Sequence, residues 1–157
     1  MNAFYYACSY AKADYSKFMN VTSVTALKLV PEKLQSQPVF LCIDDTMVSK
    51  FGKIFEDVSK LFDHAAHNGS NYLNGHCFVS PTLCIPVWNK GRIRYLSVPL
   101  GCRMWQKKES KLELAASMVR QAMPEFSCKK NVIILYDGWY VKKNCPVSWI
   151  NTKIWTL

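Results

Sequence analysis

The sequence predicts a mixed α/β fold, and three patterns carry this prediction. Two apolar runs, at 38–45 and 131–136, each lead into an aspartate, which is typical of a buried strand that reaches the carboxyl edge of a sheet. Two further strand-like runs lie between them and are separated by a tight turn. A helix with one apolar stripe follows those runs. The predicted order is therefore strand, strand, strand, helix, strand.

The N-terminal part reads as helical. Residues 3–19 are rich in aromatic side chains, and Asn20 is placed to cap a second helical segment at 21–30 that ends before Pro31. The stretch from Pro31 to residue 37 has the composition of a linker.

The first strand is predicted at 38–45, with Val39, Leu41, Ile43 and Asp45 on one face. Its second face is also apolar, which indicates a central strand that is buried on both sides. A polar loop follows the strand. The spacing of apolar residues over 55–66 then predicts a helix.

A hairpin and a helix are predicted next. The strands at 76–88 and 93–101 flank the turn Asn-Lys-Gly-Arg, and the prolines of the first strand indicate a bulge, an edge or an end. Ser110 and Glu113 form a capping box before a helix that ends at Pro124. After the strand at 131–136 we expect a further helix that crosses back over the sheet, but residues 144–157 lack a helical stripe and are predicted to be an irregular tail.

Cysteine usage and the absence of targeting patterns predict a cytoplasmic protein without a membrane partner. The seven cysteines are scattered and form no C-x-x-C pair, which favours buried thiols in a reducing compartment over disulfides or zinc ligands. The N-terminus lacks the basic start and apolar core of a secretory signal, and no apolar run approaches the length of a membrane span.

The charge of the chain is unevenly distributed. The formal net charge is +9, and residues 89–111 carry seven Lys and Arg residues against one Glu. Such a segment fits a polyanionic partner, nucleic acid first, although a solvated basic face would look the same. Lys50 and Lys53 follow the first strand and are either phosphate contacts or part of a solvated loop. Trp105 is either a base-stacking or a packing residue. The candidate DNA contacts are Lys50, Lys53, Lys90, Arg92, Arg94, Arg103, Trp105, Lys107, Lys108 and Lys111.

The two strand-ending aspartates are the candidate catalytic residues. If the two strands lie side by side, Asp45 and Asp137 come close enough to share a hard divalent cation such as Mg²⁺ or Mn²⁺. Asp44 is the weaker candidate ligand. Each motif taken singly also fits ordinary turn and cap chemistry.

In combination these pieces resemble the catalytic domain of a DDE transposase from a bacterial insertion sequence, which has a ribonuclease H-like core. The matching stretches are FLCIDDTMVSKFGK, the hairpin CFVSPTLCIPVW–IRYLSVPLG, the helix SKLELAASMVRQAM and the strand NVIILYDGWYVKK. The resemblance implies that Asp45 and Asp137 are the first and second metal-binding aspartates. It implies DNA, in the form of insertion-sequence ends, as the partner, with a second transposase subunit as a further candidate. The parent activity would be metal-dependent DNA cleavage and strand transfer.

The family's third acidic residue, a glutamate on a later helix, has no counterpart in this sequence. We therefore expect a truncated transposase that is inactive alone, with a helical segment and linker at 1–37, a partial catalytic domain at 38–143 and a non-family tail at 144–157. The alternative is a non-catalytic remnant that binds DNA or associates with a transposase.

Overall fold

The computed structural model describes residues 14–52, 54–62, 71–126 and 131–136, together with the backbone of 154–156. The helices are α1 (Tyr15–Lys28) and α2 (Lys111–Ala122), with short 3₁₀ turns at Glu32–Leu34 and Met123–Phe126. The strands are β1 (Val39–Ser49), β2 (Ser59–Phe62), β3 (Tyr72–Asn89), β4 (Arg92–Pro99), β5 (Arg103–Met104), β6 (Val132–Tyr136) and β7 (Ile154–Thr156). These strands form one sheet of mixed direction, which confirms the predicted α/β class.

The centre of the sheet is β1. It pairs antiparallel with β3 on one side and parallel with β6 on the other, and the parallel register places Ile43 opposite Tyr136. The expectation that the two aspartate-bearing runs lie side by side is thus confirmed for the strands themselves. Asp137, the residue after Tyr136 in the sequence, lies outside the described residues.

The longest strand, β3, pairs with other strands along both of its own edges. One edge pairs with β1, and the other pairs in turn with β2, β5 and β4. Both prolines of β3 are accommodated within it. The carbonyl of Pro81 accepts a hydrogen bond from Leu100 N at 3.0 Å, so its ring nitrogen faces the same edge, in the gap where β4 has ended. Pro86 lies beyond the last residue of β3 that pairs with β1.

The first strand is longer than the sequence predicts. It continues from Asp45 through Ser49, where the predicted polar loop was expected, because the long β3 keeps offering hydrogen-bond partners as far as Gly75. Asp45 therefore lies in the middle of β1 rather than at its end. The pairing is close: a Cβ added at Gly75 would lie 2.3 Å from the carbonyl oxygen of Val48.

The helix predicted over 55–66 is wrong over 55–62, because Glu56 and Asp57 lie in a turn and Ser59–Phe62 form β2. In β2, Ser59 and Leu61 are buried and the residues between and after them are exposed. The free edge of β3 supplies hydrogen bonds that four residues could not gain as part of an isolated helix. Residues 63–66 of the predicted helix lie outside the described range.

The N-terminal helix also begins elsewhere than predicted. Asp14, not Asn20, caps α1: its carboxylate accepts a hydrogen bond from Lys17 N at 3.0 Å, and the helix runs unbroken past Asn20. Because Asn20 lies inside the helix, the backbone hydrogen bonds of successive turns continue across it, whereas a helix start at Asn20 would have interrupted them. The predicted helical stretch at 3–13 lies outside the described residues.

The capping box of α2 is confirmed, and both helices pack on one face of the sheet. The core lies between the helices and the sheet, and it includes Leu41, Ile43, Leu83, Met118 and Ile134. On the other face, Phe40 and Cys42 are only half-buried by the part of the chain that the structure describes, so the predicted burial of β1 on both sides holds for one side alone.

The tail at 144–157 is not wholly irregular, since Ile154–Thr156 form β7 and pair parallel with β6. This pairing satisfies backbone groups on the outer edge of β6, which explains why these three residues form a strand. Within the described ranges, neither helix has the length and apolarity that crossing a membrane requires.

Candidate functional site

Asp45 lies on the face of the sheet that carries the helices, where the N-terminus of α2 meets β1. Lys111, the first residue of α2, places its Nζ 2.5 Å from Asp45 Oδ2. The side chains are partly shielded from water, with relative exposures of 33% for Lys111 and 22% for Asp45. An ion pair in such a position is stronger than one on the open surface, because solvent screens it less.

A third group, the thiol of Cys77, completes this cluster. Cys77 is buried on β3, two residues from Val79, the register partner of Asp45, so it shares the face of Asp45. Its Sγ donates a hydrogen bond to Asp45 Oδ2 at 3.2 Å. Burial raises the pKa of Cys77 to about 11, and the hydrogen bond to the Asp45 carboxylate adds to the increase. The thiol is therefore protonated, and a donor, at neutral pH.

The electrostatics of Lys111 are set by two opposing effects. Burial by itself lowers the pKa of the ammonium group, but the hydrogen bond and the negative charge of Asp45 outweigh burial, so the pKa is raised overall. The Nζ also lies 5.8 Å from the centroid of the Trp105 ring. Lys111 is thus held as a cation between a carboxylate and an aromatic ring.

The described residues at this cluster do not by themselves fit a magnesium site. Mg²⁺ requires several oxygen ligands in octahedral geometry, and a protonated thiol is not one of them. Among the residues that the structure describes, no three His, Cys, Asp or Glu side chains come together as metal ligands would. The described residues of this cluster provide one carboxylate, Asp45, whose Oδ2 is already in contact with the Lys111 ammonium and the Cys77 thiol.

Asp44 faces the opposite side of the sheet. Neighbouring residues of a strand point to opposite faces, and Asp44 is exposed whereas Asp45 is partly buried. The Oδ1 of Asp44 accepts a hydrogen bond from the backbone N of Asp45 at 2.8 Å. The two side chains therefore lie on opposite faces of the sheet, and Asp44 and Asp45 are not placed to bind one metal ion together.

The predicted DNA contacts fall into two groups. Lys90, Arg92 and Arg94 are exposed around the β3–β4 turn, and Lys107 and Lys108 are exposed before α2. These five cations are available to a partner.

The other predicted contacts have partners within the fold or lie outside it. Arg103 donates hydrogen bonds to Ser117 Oγ at 3.3 Å and to Gln121 Oε1, and so links β5 to α2. Trp105 packs against the core, and its indole N–H donates to the carbonyl of Glu109 at 2.7 Å. Lys50 Nζ lies 5.3 Å from the ring centroid of Phe55, and Lys53 lies outside the described residues. A DNA role for Arg103 and Lys111 would require these internal contacts to break.

Sequence reasoning missed the role of Cys77 and the pairing of Lys111. Alternation along β3 is a usable signal, because it places Cys77 on the buried face together with Val79. Nothing in the local sequence connects Lys111 with Asp45, which is 66 residues away. No protein-family model, no curated protein and no solved structure matches this chain.

Proposed function

We propose that this chain forms part of a ribonuclease H-like catalytic domain of the DDE transposase kind. The observation that supports the proposal best is the arrangement of the strands around β1. The antiparallel strands β1, β3 and β4 are followed by α2 and then by β6, which lies parallel to β1 and next to it. This is the connectivity that the resemblance requires, with Asp45 on the central strand and Asp137 following its neighbour.

The proposed substrate is DNA, and the parent activity is cleavage and strand transfer at the ends of an insertion sequence. In that reaction water or a 3′-hydroxyl attacks a phosphodiester; Asp45 and Asp137 would help to hold divalent cations such as Mg²⁺ or Mn²⁺, which would offset the developing charge. The contribution of this chain is the Asp45 carboxylate, a set of exposed cations and the Lys111 ammonium that holds Asp45 before any metal binds. A second transposase subunit is a proposed partner.

The second candidate function is that of a non-catalytic module that binds DNA or associates with a transposase. One observation favours it for the chain on its own. Asp45 Oδ2 is engaged by Lys111 and Cys77. A two-metal centre needs more carboxylate oxygens than Asp45 and Asp137 supply.

A plasmid assay separates the two functions. Supercoiled DNA is incubated with the chain in Mg²⁺ or Mn²⁺, and nicking is compared for the wild type and Asp45→Asn, with duplex binding measured in parallel. We expect duplex binding that salt weakens, and no nicking above the protein-free control. Nicking that disappears in Asp45→Asn would instead establish a complete enzyme. A chain that binds no DNA even at low salt would contradict the proposal.

A further inference from the structure

Strands β3 and β4 continue past the end of β1 as a two-stranded ribbon, residues 87–96. Pairing between β1 and β3 stops at Phe40 and Cys84, whereas pairing between β3 and β4 goes on to Asn89 and Arg92. Every residue from 88 to 96 is exposed. The ribbon therefore projects from the sheet from residue 88 onward, while Val87 at its base packs against the core.

The tip of the ribbon is a tight and well-defined turn. Lys90 has φ of 47° and Gly91 has φ of 75°, which is the pattern of a two-residue type I′ turn. This turn type matches the twist of the flanking strands, so the ribbon is pre-shaped and does not pay an ordering cost on binding.

The two faces of the ribbon differ in chemistry. The pairs Val87–Arg94 and Asn89–Arg92 place both arginines and Asn89 on one face, which we call the cationic face. Trp88, Ile93 and Tyr95 lie on the opposite face, where the Tyr95 ring makes an edge contact with Phe40 at 5.0 Å between centroids. The ribbon contains no acidic residue, so Lys90, Arg92 and Arg94 give it an uncompensated positive charge.

From this arrangement we propose that the ribbon is a groove-reading element for duplex DNA, with Asn89, Arg92 and Arg94 directed at base edges and Lys90 at a phosphate. The inference rests on the proposed function and adds where and how DNA is recognised. The major groove admits a two-stranded β-ribbon, arginine pairs with guanine O6 and N7, and asparagine pairs with adenine. Arg92 and Arg94 are about 6.8 Å apart along the strand, close to two base-pair steps.

The face assignment favours duplex over single-stranded DNA. Proteins that bind single strands place aromatic rings beside cations on one surface, so that bases stack while the backbone is held. Here the aromatic side chains are on the face opposite the two arginines, and Tyr95 is already in contact with Phe40. The cationic face offers hydrogen-bond donors and charge but no stacking platform.

The test measures base discrimination rather than affinity alone. A short duplex is selected by the wild-type chain from a random library, and a second version carries 7-deazaguanine, which lacks the N7 acceptor in the major groove. We expect the wild type to bind the unmodified duplex about tenfold more tightly. Arg92→Gln/Arg94→Gln should bind both versions equally. The matched control, Lys107→Gln/Lys108→Gln, removes the same charge and should weaken both versions while keeping their ratio.

Fluorescence anisotropy gives the affinities, and circular dichroism verifies that each variant is folded. The inference is overturned if Arg92→Gln/Arg94→Gln keeps the wild-type ratio, if the wild type does not distinguish the two duplexes, or if it prefers the single strand. In each of these cases DNA binding itself persists and the proposed function stands. Complete loss of DNA binding by the wild type would overturn both.

Discussion

At the scale of single residues, the main finding is that Asp45 already has a cation. The ammonium of Lys111 and the thiol of Cys77 both meet Asp45 Oδ2, so the carboxylate is held in one orientation by groups from β3 and α2. A divalent cation that bound Asp45 Oδ2 would compete with the Lys111 ammonium for that oxygen. Removal of Lys111 is therefore the most direct probe of how the Asp45 side chain is held inside the fold.

We expect Lys111→Met to destabilise the protein by about 1–2 kcal/mol, between the small effect of an exposed ion pair and the larger effect of a fully buried one. The methionine retains most of the apolar stem but removes the ammonium that contacts Asp45. Urea denaturation at neutral pH measures the change as a shift of the midpoint at constant slope. Adding Asp45→Asn should restore part of the loss, because the negative charge that Lys111 offsets is then removed as well.

Lys108→Met is the matched control, since Lys108 is exposed three residues before Lys111. Its effect should stay within about 0.5 kcal/mol, as is usual for surface positions. Equal destabilisation by Lys108→Met and Lys111→Met would show that the contact with Asp45 contributes no stability.

At the scale of elements, the start of α2 determines where Lys111 lies. Ser110 Oγ accepts a hydrogen bond from Glu113 N at 3.1 Å, and Glu113 Oε2 accepts from Ser110 N at 2.8 Å. The hydrogen bonds from Ser110 lower the pKa of Glu113, so this box is intact at neutral pH. Because the box fixes the first turn of α2, it also fixes the position from which Lys111 reaches β1.

Ser110→Ala should cost about 1 kcal/mol of stability, the usual effect of losing an N-cap oxygen. Ser110→Thr is the conservative variant: its hydroxyl keeps the acceptor for the N–H of residue 113 and the donor to Glu113 Oε2, which Ser110 Oγ contacts at 2.9 Å. It should therefore unfold close to the wild-type urea midpoint. If Ser110→Thr is as unstable as Ser110→Ala, the hydrogen bonds of the hydroxyl are not what the serine contributes.

The elements that could be predicted are those with local signals. Four or five consecutive residues are enough to predict the capping box at Ser110 and Glu113 and the turn at Lys90–Gly91. Both features are present in the structure. The spacing of Val39, Leu41 and Ile43 likewise predicts that these three residues share one face of β1, and that face is buried. For these features, propensity and tertiary structure agree.

The features that could not be predicted depend on partners distant in sequence. The apolar spacing at 55–66 fits a helix, but Ser59–Phe62 instead pair with the edge of β3 and form a strand. The length of β1, and with it the mid-strand place of Asp45, follows from pairing with β3 as far as Gly75. The contact between Asp45 and Lys111 joins two elements whose approach only the whole fold determines.

At the scale of the whole molecule, the cations of the basic segment 89–111 form two sets: an internal set that is bound to other side chains of the fold, and an external set that is exposed to solvent. Arg103 and Lys111 are bound to side chains of α2 and β1, respectively. The exposed cations of the basic segment are Lys90, Arg92, Arg94, Lys107 and Lys108. The seven Lys and Arg residues of 89–111 therefore overstate the number of cations that a DNA backbone would meet on this part of the surface. The response of binding to salt can distinguish the two sets.

Each phosphate contact adds about −0.9 to the slope of log affinity against log salt concentration for a duplex, so three to five contacts predict a slope of roughly −2.7 to −4.5. Lys90→Gln and Lys108→Gln should each make the slope shallower by about 1, because each would remove one external cation. Lys111→Met should leave the slope unchanged, although it removes the same charge and lowers stability. Anisotropy titrations between low and moderate salt give these slopes at a temperature where all three variants are folded. A shallower slope for Lys111→Met would place Lys111 at the DNA and mean that the ion pair with Asp45 opens when DNA binds.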